Sequence, residues 1–266
     1  LGDDLAKIAW EKAGIIKAGR PVVAARQMDE ALGPIEAEAH ALGAPLQVMG
    51  RDFDAHEERG RLMVQLEDRL LDLPSPSLFG AHQFENAGVA AAAMLALGDP
   101  RIDEAAIGRG VAAAVWPGRF QRLTKGPLAE MARARGADLW LDGAHNPHAG
   151  RALADACARL AARDGRPVRM IVGMLSRKNA PGFFSAFAGL ADRVFTTSFE
   201  AASAMPADAL AQAANSVGVQ AQPADGVQAA LAGALEGDGP APHVLICGSL
   251  YFIGDVLALS PETWPT

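Results

Sequence analysis

Apolar residues recur along this chain in two rhythms, and the switches between them delimit its elements. Leu5, Ile8, Ala9, Ile15 and Ile16 follow Asp3 and Asp4, carboxylates suited to the unpaired N–H groups of a helix start, and mark one helical face. Residues 21–25 then read as a strand, 34–42 as a helix opened by Pro34, and 45–49 as another strand, a βαβ rhythm. From 51 to 73 charged residues alternate with short apolar runs such as Leu62-Met63-Val64, which predicts a meander of short strands closed by Pro74, Pro76 and Gly80. Helices are predicted over 82–97 and 103–115, the second ended by Pro117-Gly118.

The alternation in 119–124 resembles the first strand of something new, so a domain boundary is expected there, giving domains 1–116 and 117–266. In the second, Leu139-Trp140-Leu141 suits a buried strand broken by Asp142-Gly143, and Pro147 opens an Ala-rich helix to about 162. Strands over 168–172, 194–197, 219–222 and 244–247 alternate with helices over 183–190, 207–214, 227–235 and 250–257. This predicts an α/β fold with a mostly parallel, doubly wound sheet.

Composition narrows the partners. A formal charge of −7 leaves no basic footprint for duplex nucleic acid, and no apolar run reaches the length of a membrane span. Cys157 and Cys247 form neither a metal spacing nor a disulfide framework, which fits a reducing, cytoplasmic setting. The chain opens at Leu1, without Met and without a leading strand, as a piece of a longer protein would.

Candidate chemistry gathers where strands end, because open α/β sheets bind ligands outside the carboxyl ends of their strands. Asp142, His145 and Asn146 are either a turn residue, a surface group and a helix cap, or a nucleotide site in which the carboxylate takes ribose hydroxyls or orders a metal-bound water and His145 donates to phosphate oxygens. Ser176, Arg177 and Lys178 follow another strand end, and Gly248-Ser249 a third. Lys12 lies seven residues after Leu5 and four after Ile8, so helical phase turns it inward, where it either snorkels out along Ile8 and Ile16, pairs with a carboxylate, or becomes a carbamate able to hold Mg²⁺. His82, Gln83 and Asn86 open a helix, as caps or as amides suited to a purine edge, and Arg119 at the domain joint is either a surface charge or a group that reaches phosphate.

Several stretches resemble one family. LGDDLAKIAWEKAGIIKAGRPVV, GAHQFENAGVAAAAMLAL, WPGRFQRL, LDGAHNPHA, the GML at 173–175 and CGSLYFIGDVL resemble the folylpolyglutamate synthase and dihydrofolate synthase family, a branch of the Mur ligase superfamily, in one order along essentially the whole chain. The resemblance implies a monomeric ATP- and Mg²⁺-dependent amide ligase of folate biosynthesis and one-carbon metabolism. The acceptor carboxylate, on dihydropteroate or a reduced folate, attacks the γ-phosphate, and the amine of L-glutamate displaces phosphate from the acyl phosphate. By matching motifs, Lys12 corresponds to the carbamylated lysine near the metal, Asn86 to the adenine contact, Arg119 to the phosphate arginine and Asp142 to an acidic ATP contact. His145 corresponds to a histidine handling glutamate or the phosphoryl group, and Ser249 to a glutamate-binding serine.

Departures accompany the matches. The sequence holds no Gly-Lys pair, so the family's phosphate loop is expected upstream of Leu1, along with a metal-binding His and Glu. Residues 1–116 then read as part of a central ATP-binding domain and 117–266 as the glutamate ligase domain. Arg177 and Asn179 stand where the family carries acidic residues around Lys178. A related ligase acting on another acceptor and a non-catalytic ligand-binding remnant are the competing readings.

Overall fold

A computed structural model describes residues 4–67 and 69–263. Asp3 and the Leu-Gly before it therefore lie outside the described residues. The chain divides into two compact units, one running up to Ser77 and resuming over Ala81–Ala114, the other made of Leu78–Gly80 and the chain from Val115 onward.

The first unit opens with α1 (Leu5–Ala13), whose Asp4 cap accepts from the Ala6 and Lys7 N–H groups. β1 (Val22–Ala24), α2 (Asp29–Ala41) and β2 (Leu46–Val48) follow, and the two strands pair in parallel. The expected meander is an antiparallel sheet of β3 (Phe53–Glu58), β4 (Arg61–Leu66) and β5 (Arg69–Leu73). It is covered by α3 (His82–Leu97) and followed by α4 (Glu104–Ala113).

Two expectations fail here. Pro34 does not open its helix: α2 begins five residues earlier, with Asp29 and Glu30 in its first turn, and tolerates the proline inside. Lys12 does not point inward. The buried face of α1 is Ala9 and Ala13, continued by Ile16 beyond the helix end, while Lys12, about 100° round from Ala13, is exposed. Ile15 is 79% exposed because the helix has already ended.

The second unit holds the doubly wound sheet. Its elements are β6 (Gln121–Leu123), α5 (Pro127–Ala134), β7 (Asp138–Asp142), α6 (Pro147–Asp164), β8 (Val168–Val172), α7 (Ala180–Phe184), β9 (Ala191–Thr196), α8 (Ala207–Asn215), β10 (Ala221–Pro223), α9 (Gly226–Ala234), β11 (His243–Cys247) and α10 (Leu250–Ala258). The strand order is β10-β9-β8-β11-β7-β6, parallel except for β6. Side chains alternate between two cores: Val168, Met170 and Val172 meet α6, α7 and α8, while Leu139, Leu141 and Ile171 meet α5, α9 and α10. The helix α5 is not among the predicted elements. α7 starts at Ala180 rather than 183 because Asn179 caps it, accepting from the Gly182 N–H at 2.9 Å. No helix among the described residues is long and apolar enough to cross a membrane.

A closed polar cluster staples the amino end of this sheet. Arg166 bonds Asp138 at 2.7 Å and the carbonyls of Gly136, Ala241 and Pro242, and Arg122 also pairs with Asp138. The buried His243 ring places Nε2 3.1 Å from Asp164. Burial pushes the His243 pKa below its ordinary value, aided by Arg166 and opposed by Asp164. Burial works upward on Asp138, yet Arg122 and Arg166 hold its carboxyl below the usual range.

Both shifts make acid destabilising. With a depressed pKa in the fold, His243 takes up its proton more readily when unfolded, so stability falls as pH drops below about 6.5. The Asp138 contribution is lost only in the lower range where carboxylates protonate. The melting temperature is expected to decline between pH 7 and pH 5, and His243→Gln, which keeps a donor toward Asp164, to flatten that decline. An unchanged slope in the variant would rule out His243 as its source.

Candidate functional site

Three neighbouring parallel strands of the second unit end level with one another: Cys247 of β11 pairs with Asp142 of β7 on one side and Val172 of β8 on the other. This is also where the strand order reverses, with β8, β9 and β10 stepping away in one direction and β7 and β6 in the other. A glycine follows each strand end. At Gly248, φ is +110° and a Cβ would stand 2.5 Å from the Gly173 carbonyl oxygen, so only glycine lets the two chains pass this closely.

The carboxylate of Asp142 joins two turns. One oxygen accepts from the Phe120 N–H at 2.8 Å and the other from the Ala144 N–H at 2.7 Å, while the Gly143 N–H donates to the Gly118 carbonyl at 2.8 Å. Phe120 is thereby held at φ +44°, a left-handed conformation that costs a side-chain-bearing residue about 1–2 kcal/mol. A hydrogen bond to a charged acceptor contributes about 1.5–3 kcal/mol, enough to offset that strain. Stacking helps as well: the Phe120 ring lies 5.0 Å from Phe79 and 4.9 Å from Trp140.

Arg119 projects from the strained turn. The residue is half-buried, and its guanidinium has neither a hydrogen bond nor an ion pair among the described residues. A half-buried, unpaired cation at the carboxyl edge of a parallel sheet is suited to an anionic oxygen. His145 is half-buried too, and its Nδ1 lies 2.8 Å from the Gly143 carbonyl. That carbonyl can only accept, so a proton sits on Nδ1, and in the tautomer this selects Nε2 is the acceptor. The sequence reading of His145 as a donor to phosphate therefore holds only for the protonated ring.

Ser249 and Asn146 cap helices. The buried Ser249 Oγ accepts from the Tyr251 N–H at 3.2 Å at the start of α10, leaving its own O–H to donate, and Asn146 accepts from the Ala149 N–H at 2.9 Å. Beneath Asp142 lie two buried thiols. Burial, then the Asp142 carboxylate, pushes Cys157 up to about 12, and the same causes raise Cys247 well above its usual value, so both stay protonated. Ser176 and Arg177 are exposed beyond the β8 end, and Lys178 is half-buried.

The remaining candidates belong to the first unit and lie on different helices. Asn86, near the start of α3, does not cap it; its amide donates to Gln83 at 3.1 Å, and Gln83 in turn meets His82 at 3.0 Å. The exposed Lys12 stands alone in metal terms. Among the described residues no three His, Cys, Asp or Glu side chains gather as a metal site.

Known proteins share this fold and much of this sequence. A family profile described as "Mur ligase, glutamate ligase domain" matches residues 118–250. The chain is similar to folylpolyglutamate synthase of Lacticaseibacillus casei, 30% identical over an alignment of 269 positions, gaps included, that covers 96% of this chain and 58% of that protein. It is also similar to the solved structure of Escherichia coli FolC in complex with DHPP and ADP, with a TM-score of 0.80, 27% identity, and coverage of 97% of this chain and 57% of that one. The bifunctional folylpolyglutamate synthase/dihydrofolate synthase of Yersinia pestis, complexed with AMPPNP and a Mn ion, gives a TM-score of 0.78 at 30% identity, covering 97% of this chain and 57% of that one. The chain spans less than two thirds of the length of each.

The crossing at Gly248 can be tested directly. Gly248→Ala is expected to destabilise the second unit by more than about 2 kcal/mol in denaturant titration. Gly254→Ala, inside α10 with no atom within 4 Å of its Cβ position, is expected to gain about 0.5–1 kcal/mol. Equal effects of the two would remove the steric argument.

Proposed function

The chain belongs to the Mur ligase family, and we propose that it is part of an ATP-dependent ligase that joins L-glutamate to dihydropteroate or a reduced folate. The observation that carries this reading is the level edge of β7, β11 and β8, where an unpaired Arg119, a clamped Asp142, an oriented His145 and a capping Ser249 emerge together in a family whose matching domain is named for glutamate ligation. The named activities of the relatives support the same substrate class. Residues 1–116 are then part of the central ATP-binding domain and 117–266 the glutamate ligase domain of a monomeric, cytoplasmic enzyme.

In this reading each side chain does what its environment permits. Arg119 meets an anionic oxygen of the transferring phosphoryl group or of the acyl phosphate, with no internal ion pair to break first. Asp142 holds the two turns and faces the nucleotide. The Nε2 of His145 accepts a proton from the glutamate ammonium as its nitrogen becomes the nucleophile. Ser249 donates its O–H to a glutamate carboxylate. In the first unit Asn86 offers its amide to the adenine edge.

Lys12 is proposed to carry a carbamate, and its exposure leaves the amine open to carbon dioxide. That group would supply an anionic ligand to Mg²⁺, with the other ligands coming from outside the described residues. When bound, Mg²⁺ would supply positive charge that stabilises phosphoryl transfer.

Glutamate-dependent phosphate release from MgATP is the test, with dihydropteroate or tetrahydrofolate as acceptor, in the longer protein carrying this chain. Turnover is expected with a pterin acceptor and not with a UDP-sugar peptide. Arg119→Ala and His145→Ala are each expected to lower kcat by about 10²-fold or more. Turnover with neither pterin would end the folate assignment.

A further inference from the structure

We propose that Leu250 is a positioning residue for Arg119: a wedge at the first turn of α10 that fixes where the free guanidinium stands. The inference rests on the reading of Arg119 as the anion-binding group. Three observations lead to it.

The first is the surface of Gly143. A Cβ there would lie 2.7 Å from Leu250 Cγ and 3.1 Å from Arg119 Nη1. Glycine leaves one patch of bare backbone after the β7 end, and the isobutyl group and the guanidinium share it. Gly118, the residue before Arg119, faces the same helix: its Cβ position is 2.9 Å from Ile253 Cγ2 and 3.7 Å from Leu250 Cδ2. The first turn of α10 therefore rests on glycines of both turns that Asp142 joins.

The second is the poverty of other restraints. Arg119 has no hydrogen bond or ion pair among the described residues, so the strained backbone and the apolar wall of Leu250 are what limit its orientation. An arginine otherwise loses considerable rotamer freedom on binding, and a pre-placed one loses less.

The third is that Leu250 contributes little to the core. The buried face of α10 is Phe252, Ile253, Val256 and Leu257, whereas Leu250 remains 44% exposed. Its contacts lie instead at the glycine turns, and truncating it opens space beside the guanidinium without emptying the sheet's apolar layer.

Leu250→Ala, Leu250→Met and, as a control, Leu259→Ala test this, Leu259 being 42% exposed just past the other end of α10. Two readouts are needed. NMR relaxation of the Arg119 Nε–Hε pair in this chain reports side-chain order, and steady-state kinetics in the longer protein separate kcat from KM. In Leu250→Ala, Arg119 is expected to lose order and kcat to fall by about 10- to 100-fold, with a melting temperature no lower than in Leu259→Ala. Leu250→Met restores both order and kcat, and Leu259→Ala changes neither.

The proposal is overturned if Arg119 is already mobile in the unaltered chain, if Leu250→Ala leaves order and kcat unchanged, or if Leu259→Ala causes the same loss. If the unaltered longer protein shows no ligase turnover, the ligase reading fails. The relaxation measurement then decides the positioning role alone.

Discussion

The carboxylate of Asp142 accepts two backbone N–H groups from different turns, and the carboxyl edge of the sheet depends on that pair of bonds. One bond draws Phe120 into a left-handed conformation that an L-residue avoids, and the other shapes the turn that leads to His145. Charge-assisted acceptance outweighs the backbone strain, so the costly geometry persists. Arg119 is carried along by it, standing between Gly118, with its own positive φ, and the strained Phe120. A carboxylate that the motif suggests as a ligand contact is also a structural clamp.

The two ends of the same sheet use charge in opposite ways. At the amino end Arg122, Asp138, Asp164, Arg166 and His243 are closed upon one another and on backbone carbonyls, with only the buried Nδ1 of His243 left without a hydrogen bond in that cluster. At the carboxyl end Arg119 has no partner among the described residues, and the floor under Asp142 is two protonated thiols. The asymmetry follows from the parallel sheet itself, whose loops at one edge all leave the strands together and converge.

Much of this was legible because period and punctuation agreed. The helix over 82–97 and the strand over 168–172 were read to the residue, since a long Ala-rich helical run and an unbroken apolar strand leave few alternatives. Where two signals competed, reading failed. Pro34 looked like a helix start, yet Asp29 and Glu30 already supply one, and a single missing donor did not end α2. Lys12 looked inward because Leu5 and Ile8 share its phase, but both are only half-buried, and the small residues Ala9 and Ala13 make the contact instead. The short helix α5 is missed although Pro127 opens it and Leu128, Ala129 and Ala132 form its buried face; at eight residues it spans barely two turns, too short a run for the period to be separated from its surroundings.

The sequence alone determined the elements of the doubly wound sheet apart from α5, and the identity of the polar residues at its strand ends, because hydrophobic period and turn chemistry act over a few neighbouring positions. It did not reveal what those polar residues touch. That Asp142 reaches Phe120, 22 positions earlier, that His145 points one nitrogen at a carbonyl, and that Leu250 lies against Gly143 were decided by the sheet. Strands distant in sequence become neighbours only when their backbones pair, and the glycines that follow them let the turns approach within contact distance. Partnership between side chains is a property of that packing, and no local pattern encodes it.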